Sequence, residues 1–245
     1  EALIARAVID ANRPGSLPCP DLITNDATNK PGDGNADKFI GAATGECPSY
    51  VGWLPWVTLD LPELTDDSGT RLWYALTRNL RDDESAHPIN SNTLADLRID
   101  GGGEIAAIII APGSSLPGQT RPSNSPADYL EGENLNADIN YVSGPAGPAF
   151  NDIVSVITRQ ELMAAVEKRV ANELKSCIEQ HTLVGNQYPW PAPFSSSNFR
   201  GKSGSYFGQL PTTQPSAGAE AQRGLRRDRS GPLFEILGDV VRSRR

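Results

Sequence analysis

The sequence predicts an α+β fold, and three observations predict it. Two segments, residues 2–11 and residues 159 to about 181, carry apolar side chains at helical spacing. Between them lie short runs with the composition of strands, at residues 71–77, 104–111 and 152–158. Loop formers are plentiful, with 23 Gly and 20 Pro against a hydrophobic share of 38%, so the core must be modest and the loops long. The architecture expected is an N-terminal helix stub packed on an antiparallel sheet, with a second helix and long loops.

The first helix is carried by Leu3, Ile4, Ala7, Val8 and Ala11, and Pro14-Gly15 stops it. Residues 21–45 are nearly all loop formers. Gly52-Trp53-Leu54-Pro55-Trp56 is an aromatic cluster that returns the chain to the core. Thr65-Asp66-Asp67-Ser68-Gly69 reads as a turn, and Arg71 to Thr77 as a strand. Leu97 to Ile99 reads as a short strand, and Gly101-Gly102-Gly103 as a permissive turn. The β-branched run Glu104 to Ala111 fits a buried central strand. Residues 112–150 read as loop, with one helical turn at Asp128 to Glu131. Asp152 to Thr158 alternates as a strand does. Thr158 and Glu161 then form a capping-box pattern that opens the second helix, with Leu162, Val166, Val170, Leu174 and Ile178 on one face. A helical pattern that runs into a turn of Gly and Pro thus occurs twice, at Gly15-Ser16-Leu17-Pro18 and at Gly185 to Pro189.

Cys19 and Cys47 bracket the Gly/Asn/Asp-rich loop, and each sits beside a proline. A disulfide between them would close a loop of about 29 residues and stabilise the fold by roughly 3–4 kcal/mol in the chain-entropy model; two reduced, buried thiols are the alternative. Cys177 falls on the second helix as a small apolar residue. Within the loop, Asp33, Asn35 and Asp37 alternate around Gly34, and Asp21 and Asp26 are near in sequence. Such oxygens could ligate calcium. The competing reading is a polar turn in which Asp and Asn bind their own backbone.

No enzyme is expected. There is no Gly-x-Ser-x-Gly elbow and no phosphate-binding Gly-x-x-x-x-Gly-Lys loop. His87 and His181 are the only histidines, too few for an ordinary zinc site. Trp53, Trp56, Trp73 and Trp190, beside prolines and apolar neighbours, read as core rather than as a ligand platform. The net charge of −8 opposes nucleic acid as a partner. The arginines at 223, 226, 227 and 229 and at 242, 244 and 245 are read as a solvated basic tail. No run of apolar residues is long enough to span a bilayer.

Several of these motifs together resemble the type IV pilin-like family. The major pseudopilin of type II secretion has a long helix, a Gly-x-Tyr-Pro turn, and later an Asp-x-Trp-Gly turn before a strand ending in Tyr. Asn12 to Pro18 is similar to the first, and Asp66 to Tyr74 to the second, with Ser68 in place of the Trp. Large pilin-like proteins of pilus and secretion systems resemble the chain more fully. They share Leu-Pro-Cys-Pro-Asp at Leu17 to Asp21, a second Cys at Cys47, and Gly-x-Leu-Pro-Trp at Gly52 to Trp56. The resemblance covers residues 1–190.

The resemblance implies a structural subunit, a minor pilin or pseudopilin of a type IV pilus or type II secretion system. Its partners would be other pilin or pseudopilin subunits. An apolar helix ahead of Glu1 would anchor the precursor in the inner membrane, the head being periplasmic or on the cell surface. Three regions are expected: a pilin-like head over 1–158, a second helix and turn over 159–193 resembling a second such unit, and a Ser/Gly-rich, basic, partly flexible region over 194–245. Glu1 in place of Met marks an expected processed or truncated product. The alternative function is an extracellular ligand-binding or adhesin head that uses loops 21–45 and 112–150.

Overall fold

The computed structural model describes residues 1–24, 30–37, 45–82, 89–185, 188–195 and 197–211. It is a mixed α+β structure with a sheet rich in antiparallel pairs and two α-helices. The chain divides into two compact units, Glu1–Val166 and Glu167–Arg245.

In the first unit, helix α1 spans Ala2–Ile9 and buries Leu3 and Ala7 on one side. It ends two residues before the apolar pattern does, and Asp10 is the reason. The Asp10 carboxylate accepts the backbone N–H groups of Asn12 at 2.9 Å and Arg13 at 2.7 Å, which draws them out of helical pairing. Arg6, one turn back, pairs with the same carboxylate at 3.0 Å.

The sheet has six strands: β1 (Val51–Trp53), β2 (Trp73–Leu76), β3 (Leu97–Ile99), β4 (Gly102–Ala111), β5 (Asn140–Tyr141) and β6 (Ile153–Thr158). Its centre is β4, the β-branched run. Along one edge β4 pairs with β6 from Ile105 to Ala111. The other edge is shared end to end, β3 taking Gly102 and Ile105 and β2 taking residues 107–110. Outside these, β1 pairs with β2 antiparallel and β5 pairs with β3 parallel.

Trp73 faces Ile110 and Ala75 faces Ile108 across β2 and β4. These four join Ile23, Leu97, Ile105, Tyr129, Leu130 and Tyr141 in one core cluster. Tyr74, Leu76 and Ala107, which alternate with them, are also fully buried, so β2 and β4 are covered on both faces. Edge strand β6 is different: Ile153 is 71% exposed and Ile157 is buried.

Two strands escaped the sequence reading. β1 is three residues long and β5 two, too short for any period to show. The turn expected at three glycines lies one residue earlier. Asp100 and Gly101 take φ of 51° and 79° and form a two-residue hairpin, while Gly102 and Gly103 belong to β4. The helical turn expected at residues 128–131 is two 3-10 turns, Pro126–Asp128 and Gly132–Leu135.

Helix α2 spans Arg159–Gly185 and starts where the capping box placed it. The Glu161 carboxylate accepts the Thr158 backbone N–H at 2.9 Å, and the Thr158 hydroxyl accepts the Glu161 N–H at 3.1 Å. Its first turns bury Leu162, Met163 and Val166 within the first unit. In the second unit the helix carries a half-buried stripe of Val170, Leu174, Cys177 and Ile178, and Cys177 is a free thiol. That unit also contains a bridge between Ala192 and Gln209, with the Trp190 ring packed edge-on against Tyr206 at 6.0 Å.

Candidate functional site

The segment that follows α1 is the most enclosed irregular piece of the first unit. Every residue from Gly15 to Ile23 is buried, although none belongs to a named strand or helix. Connections usually run over the surface because their backbone groups need partners. Here the partners are supplied inside. Gly15 donates its N–H back to the Ala7 carbonyl at 2.9 Å. Leu17 donates to the Leu80 carbonyl at 2.8 Å, and Asp82 donates to the Leu17 carbonyl at 2.8 Å. Asp21 and Trp53 exchange N–H···O=C bonds of 3.0 and 2.8 Å, so the segment adds a bridge to the edge of β1.

Two glycines make this route possible. Gly15 holds φ +100°, and a Cβ there would lie 2.9 Å from the Ile89 side chain. A Cβ on Gly52 would lie 2.4 Å from the Asp21 carbonyl oxygen, so the Pro20-Asp21 backbone crosses directly over β1 at its one residue without a side chain. The motifs Gly-x-Leu-Pro-Cys-Pro-Asp and Gly-x-Leu-Pro-Trp, separate in sequence, meet in space at this crossing.

The expected disulfide is present: Cys19 and Cys47 are bonded, with Cα atoms 5.6 Å apart and both side chains buried. It ties the enclosed segment to the residues that lead into β1.

Asp21 organises the loop between the cysteines. One of its carboxylate oxygens accepts the Gly32 N–H at 2.8 Å and the other the Gly34 N–H at 2.7 Å. Burial pushes its pKa up to about 6 against the opposing pull of those two amides, and the nearby Asp33 charge adds to the rise. Asp37 is buried and accepts the Leu22 N–H at 2.5 Å. Asp33 accepts the N–H of Asn35 at 2.9 Å in a local Asx turn. Of the five proposed calcium ligands, Asp26 lies outside the described residues, as does His87. Among the described residues no group of three or more His, Cys, Asp or Glu is placed to hold a metal ion. Asp21 and Asp37 thus bind backbone amides 11 to 15 residues away, and of the three Asp33 makes the local turn contact.

A cavity of about 760 Å³ opens beside this loop, lined by Trp53, Arg71, Arg121, Asn124 and Tyr129 among others. Trp53 packs edge-on against Trp73 and Tyr129, with ring centroids 6.4 and 6.5 Å away. Each arginine rides on a ring: Arg71 lies 5.1 Å from the Trp53 centroid and Arg121 lies 4.9 Å from that of Tyr129. Loop 112–150 supplies one wall. Loop 21–45 supports the other through Gly32, whose carbonyl accepts Arg71 Nη1 at 3.0 Å. A Cβ on Gly32 would lie 2.4 Å from that same nitrogen, so the glycine admits the guanidinium. Trp73 is core, as expected, but Trp53 is half-buried and lines the cavity.

Loop 112–150 is braced on the start of β6 by a buried pair of carboxyl groups. Asp152 accepts the Asn134 side-chain amide at 2.9 Å and the Glu131 N–H at 3.2 Å. Glu131 accepts the Gln119 amide at 2.7 Å and the Asn151 N–H at 3.1 Å. Burial pushes Asp152 up to about 7, and the Glu131 charge adds to it against the Asn134 hydrogen bond.

Sequence reasoning singled out loop 112–150, part of which lines the cavity, but not Arg71, Arg121 or Tyr129 as site residues. Each looks ordinary in sequence, and their convergence depends on pairing β1, β2 and the 121–129 turn. Compared with protein-family models, curated proteins and solved structures, the chain matches none.

Proposed function

We infer that this chain is the globular head of a pilin-like assembly subunit, a minor pilin or pseudopilin of a type IV pilus or type II secretion system. One observation carries the reading: α1 is joined to the sheet through the buried segment from Gly15 to Ile23, pinned by backbone bonds and a disulfide. A filament subunit needs its helix and head to move as one body, and a solvated linker would not serve. Of the motifs that resemble the pilin-like family, those at Asn12 to Asp21, Cys47 and Gly52 to Trp56 build this junction. Ile9 of α1 is 69% exposed, an apolar position left for a neighbour. A disulfide in a buried structural position accords with a periplasmic or surface location, since disulfides persist in oxidising compartments. The inner-membrane anchor would precede α1. Deleting the gene in the producing bacterium should abolish or sharply reduce filament assembly or secretion, and the full-length gene should restore it. Unchanged assembly would refute the reading.

A second reading, a ligand-binding head that uses loops 21–45 and 112–150, is favoured by the cavity that residues 121–124 and Tyr129 of the second loop line. The two are compatible, because a subunit at the end of a filament can also bind. Normal assembly with lost adhesion on deletion would leave the second reading alone.

A further inference from the structure

We propose that the cavity over Trp53 and Tyr129 binds an acidic saccharide, a ring bearing hydroxyls and a carboxylate of the uronic-acid class. The inference rests on the ligand-binding reading and adds the chemistry of the ligand.

The charge of the site comes first. Arg121 spends its hydrogen bonds on neutral acceptors: the carbonyls of Gly113 at 2.6 Å, Tyr129 at 3.2 Å and Asp128, the Gln119 amide oxygen at 2.9 Å, and the Thr70 hydroxyl at 3.3 Å. It makes no ion pair among the described residues, and the Asp128 carboxylate, which binds Ser123 and the Thr120 N–H, is the nearby charge that feels it. Arg71 is the reachable cation. Its Nε binds Glu63 and its Nη1 binds the Gly32 carbonyl, while Nη2 makes no hydrogen bond among the described residues. Gly32 and the Trp53 ring hold that guanidinium in position before any ligand arrives. The lining holds two guanidinium groups and no carboxylate side chain, with Glu63 and Asp128 set behind them, which favours an anion over a cation.

The remaining lining favours a ring over a bare ion. The cavity, at about 760 Å³, is far larger than one oxyanion needs. The half-buried Trp53 ring offers apolar contact beside Arg71, and the Thr70 and Ser123 hydroxyls, which also bond Arg121 and Asp128, line the same space. Among the described residues the exposed Asn124 side chain makes no hydrogen bond. These are the groups that meet the hydroxyls and the flat faces of a sugar, while Arg71 Nη2 meets its carboxylate.

The test is a calorimetric titration of the full chain with trigalacturonic acid, its methyl-esterified form and hexaglutamate. The acid should bind saturably, and the ester, which lacks the charge, about tenfold more weakly or worse. Arg71→Gln should weaken the acid by about tenfold, with folding checked by its melting temperature. Asn124→Ala, at an exposed side chain without partners, should weaken it about threefold and leave the melting temperature unchanged. Glu63→Gln should tighten it, because the competing carboxylate is removed. No binding by the folded wild type, equal binding of the ester, or hexaglutamate binding as tightly as the saccharide would each overturn the proposal. Adhesion by whole cells separates the two levels. Adhesion that depends on this protein without uronate binding overturns the ligand class alone. Uronate binding with adhesion unaffected by deletion supports the ligand class and refutes the adhesive role.

Discussion

Removing the Cys19–Cys47 disulfide should destabilise the first unit by an amount set by the loop it closes. The cysteines are 28 residues apart, and the chain-entropy relation for a loop of that length gives about 3.6 kcal/mol at 25 °C. For a unit of 166 residues each kcal/mol is worth roughly 2–4 °C, so the melting temperature should fall by about 7–14 °C. Both side chains are buried, so the clean perturbation is the double variant Cys19→Ala, Cys47→Ala rather than a reductant. The free thiol supplies the control: Cys177→Ala should shift melting by less than about 2 °C. Differential scanning calorimetry reads both. A double variant that melts within 2 °C of the wild type would refute the reasoning. It would mean that the Asp21 cradle and the Asp21–Trp53 bridge hold the loop without covalent help.

Other consequences are equally specific. Gly52→Ala places a Cβ 2.4 Å from the Asp21 carbonyl and must displace the crossing backbone, with two hydrogen bonds at stake; we expect a loss of about 2–4 kcal/mol in chemical denaturation. Thr158→Ala removes both contacts of the Thr158 hydroxyl with Glu161, leaving the backbone half of the capping box, and should cost about 1 kcal/mol on the same assay. Asp21 and Asp152 have folded pKa values of about 6 and about 7, above the usual carboxylate value near 4. Between these values the folded state binds more protons than the unfolded one. Their stabilising contribution is therefore full below about pH 4 and is lost as pH rises through about 6 to 7. Asp152→Asn mimics the protonated form, so its melting temperature should fall less than the wild type's between pH 5 and pH 8; an equal fall in both would contradict the assignment.

Long periodic segments were legible in the sequence. The β4 run, the alternation of β6 and the capping box of α2 each carry a local signal that tertiary contacts had no reason to override. The disulfide was legible from the two cysteines and the coreless loop between them. What was not legible depended on contacts between distant segments. β1 is only three residues long, and it is a strand because Trp73, Tyr74 and Ala75 pair with it and Asp21 bridges its other edge. α1 stops at Ile9 because Asp10 binds the next backbone N–H groups, a competition that apolar spacing does not register. Asp21 was a candidate calcium ligand weighed against a polar turn, and its contacts with the Gly32 and Gly34 amides, 11 and 13 residues away, depend on the folded loop. The cavity was hardest of all. Its arginines come from residues 50 positions apart, and only the fold of both loops shows that Arg121 is satisfied while Arg71 keeps a free nitrogen.

The central claim is that α1 is the end of a longer pilin-like helix, rigidly joined to the head. The most direct measurement is the sequence of the parent gene upstream of the codon for Glu1. The account predicts a short basic leader, a small residue at the cleavage point, and about 20 apolar residues with one early glutamate, enough to span a bilayer as a helix. A cleavable secretory signal or another soluble domain in that place would contradict it.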